Sequence, residues 1–252
     1  MFFRQFLHDE TACASYLFGC KSKARFCVVD PHEALVDTYL ATAEAQGIPI
    51  VAVLETHLQA DHVSGLPALV ARSGATAYAP AGAGFEFDHV ALEDGDTVEL
   101  GNTVVTAFAT PGHAPAHHAY VVTDLTRAPE PWMVLTGDAL LVGAAGRPDL
   151  HAGGGDRIEE MARTQFRTLA RLMELPDQVL VYPAHYAGSV CGAGLSGNPA
   201  STVGFERRAN RALRARSEDE FARDLIAETP AAPERQAEIV AANRAGHATA
   251  AL

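Results

Sequence analysis

Apolar and polar positions along the 252-residue chain follow two rhythms. Phe26-Cys27-Val28-Val29-Asp30 reads as a strand that ends on a carboxylate. Pro31 then suits a first helical turn, and the pattern over 33–46 predicts a helix stopped by Gly47. Residues 48–55 form a β-branched and aliphatic run, a buried-type strand, and a helix over 65–72 is closed by Gly74. The middle changes character. Val98-Glu99-Leu100 and the alternating run 103–108 flank Gly101-Asn102, a hairpin signal. Strands are predicted over 119–123 and 132–136, a long helix over 158–175, and a further apolar strand over 179–182. Strand–helix alternation followed by hairpins indicates an α/β fold with antiparallel parts. Past residue 205 the chain turns Arg- and Ala-rich and helical, broken by Pro230 and Pro233. The expected organisation is therefore a main domain over 1–205 and a helical extension over 206–252 packed on it, frayed at its last residues.

Composition narrows the partners. The chain is 48% hydrophobic, enough at this length for a large core without disulfides. It carries 19 basic against 31 acidic residues, a formal charge of −12, and its only lysines are Lys21 and Lys23. No basic block tracks a phosphate backbone, so nucleic acid is not an expected partner. The acidic balance would not steer an anion from afar, so any anionic substrate must be caught by local groups. Cys13, Cys20, Cys27 and Cys191 form no C-x-x-C pair and read as small buried hydrophobes in a reducing compartment. Cys191, inside the Gly-rich run 188–194, is the one position where an exposed, reactive thiol would fit. The N-terminal apolar run is cut at once by charge and no stretch is long enough to span a bilayer, so a cytoplasmic location with no membrane partner is expected.

Four short segments carry the candidate chemistry. In each, an apolar strand ends and a His or Asp follows at its mouth: Leu54 to His62 with His57, Asp61 and His62; Thr110-Pro111-Gly112-His113; Leu135-Thr136-Gly137-Asp138; and Val181 to His185. Loops at strand ends are where sites collect, and imidazoles and carboxylates arriving from separate strands can converge on one metal. A single such histidine would read as an ordinary core or surface residue; four segments in series point to a metal. His8, His32 and His247 lack this context, and His117 and His118 read as strand-start residues that could at most orient a ligand.

In order and context these segments resemble the ligand motifs of the metallo-β-lactamase superfamily, over most of the chain. The resemblance implies a four-layer αββα sandwich with metal ligands at His57, Asp61, His62, His113, Asp138 and His185. The family's first motif is His-x-His-x-Asp-His, and here Gln59 stands in place of its second His. What remains of the first site is His57, His113 and Asp138, two imidazoles and a carboxylate, the set associated with non-heme Fe(II) oxygen chemistry. Persulfide dioxygenases of this superfamily, similar to glyoxalase II, use such a site.

The resemblance therefore implies Fe(2+) at His57, His113 and Asp138, with oxidation of a low-molecular-weight thiol persulfide by O2 to sulfite. Gly146-Arg147-Pro148-Asp149-Leu150 resembles the dioxygenase segment whose Arg holds the glutathione moiety, so Arg147, together with Tyr186, is expected to bind substrate. The segment 183–208 is similar to the bacterial branch often fused to a rhodanese domain, and a homodimer is common among such proteins. Two other readings stand beside it: a glyoxalase II-like thioesterase using hydroxide on one or two Zn(2+) ions, and a non-catalytic metal- or persulfide-binding protein.

Overall fold

The computed structural model describes residues 1–233 and 235–246. The expected frayed end, 247–252, lies outside them. One sheet orders β1 (Phe2–His8), β2 (Cys13–Cys20), β3 (Arg25–Val29), β4 (Ile50–Leu54), β5 (Thr76–Pro80) and β6 (Val90–Leu92). Its first three strands run antiparallel and β3 to β6 are parallel, which requires crossovers. Helices α1 (Val36–Gln46) and α2 (Leu66–Ser73) supply the first two, each ending on a left-handed glycine, Gly47 and Gly74, as their sequence signals predict, and the loop 81–89 makes the third.

The second sheet begins with a meander of β7 (Thr97–Leu100), β8 (Thr103–Ala109), β9 (His118–Asp124) and β10 (Met133–Gly137). A small hairpin follows, β11 (Leu140–Leu141) with β12 (Ala144–Ala145). Helix α3 (Gly155–Leu172) then returns the chain to β13 (Leu180–Pro183), parallel to β10, and β14 (Ser201–Thr202) closes that edge.

The inner faces of the two sheets meet through Tyr16, Phe18, Val29 and Leu54 on one side and Val105, Tyr120, Val122 and Leu135 on the other. Tyr39 of α1 and Leu66 and Leu69 of α2 cover the outer face of the first sheet. Leu169 and Leu172 of α3, with Phe221 of α5 (Glu218–Ala227), cover the second. Burying each such side chain is worth about 1.5–3 kcal/mol, which explains a core built with all four cysteines free. This is the expected four-layer αββα order.

Strands β1, β2, β5 and β6 are not among the elements expected from the sequence. β1 is an edge strand with only Phe6 buried, and β2 is buried along its whole length, so neither shows period-two alternation. β5 and β6 are short, with Ala at their centres and only one β-branched residue each, Thr76 and Val90, too few to mark a strand. The expected boundary at residue 205 falls inside α4 (Val203–Ala209). Past it, buried Glu206 accepts from Gly143 N and Asn210 Nδ2, tying the extension to the β11–β12 hairpin. The last helix, α6 (Gln236–Ala245), reaches back to the site through Asn243. Its Oδ1 accepts from Ser64 N at 2.9 Å, and its Nδ2 donates to the carbonyls of Gln59 at 3.0 Å and His62 at 2.8 Å. Among the described residues no helix is long and apolar enough to cross a membrane.

Candidate metal centre

The loops after β4, β8, β10 and β13 bring all six expected ligands together at one edge of the sandwich, in two adjoining clusters. The first is His57, His113 and Asp138, each no more than 1% exposed. Asp138 Oδ2 lies 3.5 Å from His113 Nε2 and 3.9 Å from His57 Nε2. His113 Nε2 and Asp138 Oδ2 are buried without a hydrogen-bond partner, a costly state for polar atoms unless they face a ligand.

Both imidazoles are locked from behind. The single hydrogen of the Thr56 hydroxyl goes to the Asp30 carboxylate, so its oxygen accepts the Nδ1–H of His57 at 2.9 Å. His113 donates its Nδ1–H to the Arg147 carbonyl at 2.7 Å. In both rings Nε2 keeps its lone pair for the cluster. Burial pushes both imidazoles below their usual range, further for His57, beside His113, His117 and His151. Burial would raise the Asp138 carboxyl, but His185 outweighs it and holds the group ionised. Two neutral imidazoles and a carboxylate with unpartnered atoms facing one point fit a divalent metal.

Asp138 is placed by its backbone. Its N–H donates to His117 Nε2 at 3.1 Å, and His117 Nδ1 pairs with the Thr110 hydroxyl at 2.7 Å, so His117 orients a ligand rather than only starting β9. Gly137 before it has φ 51°, and a Cβ there would press on His117 and Thr56. Gly146 is as constrained: a Cβ there would collide with the Asp138 carbonyl.

The second cluster is Asp61, His62 and His185 with Cys13, a residue whose sequence context gave no hint of ligation. His185 Nε2 lies 2.7 Å from Asp61 Oδ2, and His62 Nδ1 lies 3.1 Å from Asp61 Oδ1. Burial opposes charge on all three, yet neighbouring groups win: His185 and His62 hold Asp61 well below the usual carboxylate range, while Cys13 and Asp61 lift His62, and Asp138, Cys191 and Asp61 lift His185, above the usual imidazole range. The clusters are joined where His185 Nδ1 meets Asp138 Oδ1 at 2.6 Å.

The Gln59 side chain is buried, its Oε1 without a hydrogen-bond partner. Its amide donates to Asp30 Oδ1 and Glu55 Oε2, both at 3.3 Å. Arg147 differs from the substrate-binding fork expected of it. The side chain is 1% exposed; its Nε and Nη2 grip Asp149 at 2.7 and 2.8 Å, and Nη1 donates to the carbonyls of Val190 and Ala231. What Arg147 offers the site is its own carbonyl. Tyr186 is half-buried beside the second cluster, and its hydroxyl donates to Asp9 at 2.8 Å. Cys191 is 1% exposed rather than presented to solvent, and burial pushes its thiol well up.

Sequence reasoning also passed over His151. Its ring lies 6.4 Å from that of His57 and 6.3 Å from that of His113, with Nε2 buried and unpartnered. His32, read as ordinary, stacks on His62 at 5.0 Å and on His8 at 3.9 Å.

Residues 12–185, which contain every member of both clusters, match the metallo-beta-lactamase superfamily. Mitochondrial persulfide dioxygenase ETHE1 of Bos taurus is 26% identical over 185 residues, 72% of this chain and 67% of the bovine protein. A hydroxyacylglutathione hydrolase of Polaromonas sp. is 34% identical over 176 residues, 68% of this chain and 61% of that enzyme. The crystal structure of ETHE1 from Myxococcus xanthus covers 98% of this chain and 100% of its own, at 31% identity and a TM-score of 0.85. The chain belongs to the metallo-beta-lactamase superfamily, whose metal-dependent enzymes include persulfide dioxygenases and hydroxyacylglutathione hydrolases.

Proposed function

We propose that the protein oxidises a low-molecular-weight thiol persulfide of the glutathione type at iron(II) held by His57, His113 and Asp138. One persulfide, one O2 and one water give the thiol, sulfite and two protons. The observation that carries this reading is Gln59, whose amide turns to Asp30 and Glu55 and leaves a two-imidazole, one-carboxylate cluster. The similarity to ETHE1 along the whole chain supports it. Held by His57, His113 and Asp138, iron(II) would supply the chemistry that brings sulfur and O2 together.

The chain's own residues do the rest. Thr56 and the Arg147 carbonyl fix the two imidazole tautomers, and His117 holds the Asp138 backbone. His151 faces the same cluster with a free Nε2, placed to hydrogen-bond a substrate atom there. Tyr186, at the outer side, is the candidate contact for the thiol carrier. Full burial of the three ligands keeps bulk water from a reactive sulfur species.

The second reading is thioester hydrolysis by zinc-bound hydroxide, favoured by the hydroxyacylglutathione hydrolase similarity and by the intact Asp61, His62 and His185. Metal analysis of the isolated protein, with parallel assays of oxygen uptake on glutathione persulfide and hydrolysis of a glutathione thioester, separates the two. Iron with oxygen uptake is the expected result. Paired zinc with thioester turnover and no oxygen uptake would replace the dioxygenase by the hydrolase.

A further inference from the structure

In a chain of net charge −12 an anionic thiol carrier must be caught by a cation close to the site. Arg147 is not free for this, since Asp149 and two carbonyls clamp its guanidinium. Lys21 and Lys23 follow the far end of β2, about 25 Å of strand away from Cys13 at the second cluster. Arg211 is held by Glu228 and the Ala193 carbonyl. Arg244 is different. It stands in the last turn of α6, exposed, and among the described residues its guanidinium makes no ion pair and no hydrogen bond.

The backbone around Arg244 fixes where it stands. Its neighbour Asn243 fastens α6 to the carbonyls of Gln59 and His62, in the loop that starts at His57. At the other end of the helix, Gln236 Nε2 donates to the carbonyl of Leu150, next to His151. The Arg244 carbonyl accepts from Glu86 N at 2.8 Å, which holds the loop 81–89 alongside. The side chain runs past Gly84, where a Cβ would meet its Nε at 4.0 Å. Burial, then His113 and then Arg244 lower the His151 imidazole to about 4, so the guanidinium lies near enough to act on that ring. His151 in turn lies 6.3 Å from the ring of His113 and 6.4 Å from that of His57. From the first cluster outward the order is therefore ligand imidazoles, His151, Arg244.

We propose that Arg244 is a specificity-determining residue that receives a carboxylate of the thiol carrier, while the carrier passes over His151 with its sulfur at the cluster of His57, His113 and Asp138. Two residues of extended chain span about 7 Å, so a cysteinyl-glycine tail reaches past one imidazole ring to the rim. A free guanidinium offers a carboxylate two parallel N–H donors, and its exposure means that little hydration is lost before the substrate arrives. A carrier without a carboxylate gains nothing there. The inference rests on the proposed function only for the place of the sulfur; the carboxylate contact is the same for a glutathione persulfide and a glutathione thioester.

Calorimetric titration of the isolated protein with glutathione, and with glutathione diethyl ester, whose carboxylates are masked, tests it. Arg244→Ala should weaken glutathione binding about tenfold and leave binding of the ester unchanged. Arg244→Lys should restore part of the loss, as a point charge without the fork. In oxygen uptake on glutathione persulfide, KM should rise by a similar factor at unchanged kcat and iron content. Glutathione binding that is the same in wild type and Arg244→Ala overturns the proposal, as does a wild type that binds no glutathione. An equal loss for the ester also overturns it, and would make Arg244 a support of α6. Glutathione binding that falls in Arg244→Ala, in a protein that takes up no oxygen, upholds the carboxylate contact and removes the dioxygenase reading alone.

Discussion

The Nδ1–H of His113 meets the carbonyl oxygen of Arg147 at 2.7 Å, across a separation of 34 residues. The bond selects the tautomer in which Nε2 faces Asp138. The same residue's guanidinium is clamped to Asp149, Val190 and Ala231, so the carbonyl is held in place by its own buried side chain.

Arg147→Ala should therefore act on metal binding rather than on substrate affinity. Removing partners behind a metal-binding His typically costs 10- to 100-fold in metal affinity, and a loss of about that size is expected. Competition with a chelator measures it. A raised KM for persulfide at unchanged metal affinity would return Arg147 to the role of a substrate fork.

Thr56→Val keeps the shape of the side chain and deletes the hydroxyl that accepts from His57 Nδ1 and donates to Asp30. The ring loses its tautomer lock, and Asp30 loses a donor in a site where burial already lifts its pKa to about 6. Weaker iron binding, again on the order of tenfold or more, is expected. Iron content after dialysis against chelator gives the readout, and an unchanged content would show that Asp30 and Thr56 serve packing alone.

Gln59→Leu should separate stability from metal content. The amide donates to two buried carboxylates, and apolar replacement takes the donor from Glu55 Oε2, whereas Asp30 keeps those of Thr56. Leaving buried polar groups short of a partner costs roughly 1–3 kcal/mol, read by urea denaturation, with metal stoichiometry unchanged. Loss of metal instead would mean that Gln59 coordinates.

Buried imidazoles, His32 and His151 among them, make the metal-free protein acid-sensitive. Burial, aided by His62 and His8, lowers His32 to about 3; burial, aided by His113, lowers His151 to about 4. An unfolded chain protonates both near 6.5. Their neutral state is fully compatible with folding above that pH, and stability is lost as pH falls from about 6.5 toward the folded values. At pH 5 the loss reaches up to about 2 kcal/mol per ring. Urea midpoints at pH 7 and pH 5 should show it, with His32→Asn removing one ring's share. Equal midpoints would mean that these rings are not held neutral.

The ligands were legible because each one follows an apolar strand, and strand ends aim side chains in a way that spacing records. The helical crossovers between β3 and β5 were legible for the same reason, since their glycine stops are local signals. Cys13 was not. Its partners Asp61 and His185 lie 48 and 172 residues away, and its alignment with them is set by β2, a strand without alternation. Arg147 was placed near the site correctly, but sequence does not tell which end of a residue faces a ligand, and here it is the carbonyl. His151 sits in the loop between the β11–β12 hairpin and α3, whose path depends on the guanidinium clamp between Arg147 and the C-terminal segment.

Asn243 bears on how the protein is made. The carbonyls of Gln59 and His62 and the N–H of Ser64 find their partner only in a residue translated some 180 positions later. On the ribosome, the loop that carries Asp61 and His62 has left the exit tunnel long before α6 exists to fasten it. A nascent chain therefore passes through a period in which the sandwich can form while this loop is still free. Full fastening of the loop that carries Asp61 and His62 therefore waits for α6 rather than for the folding of the sheets.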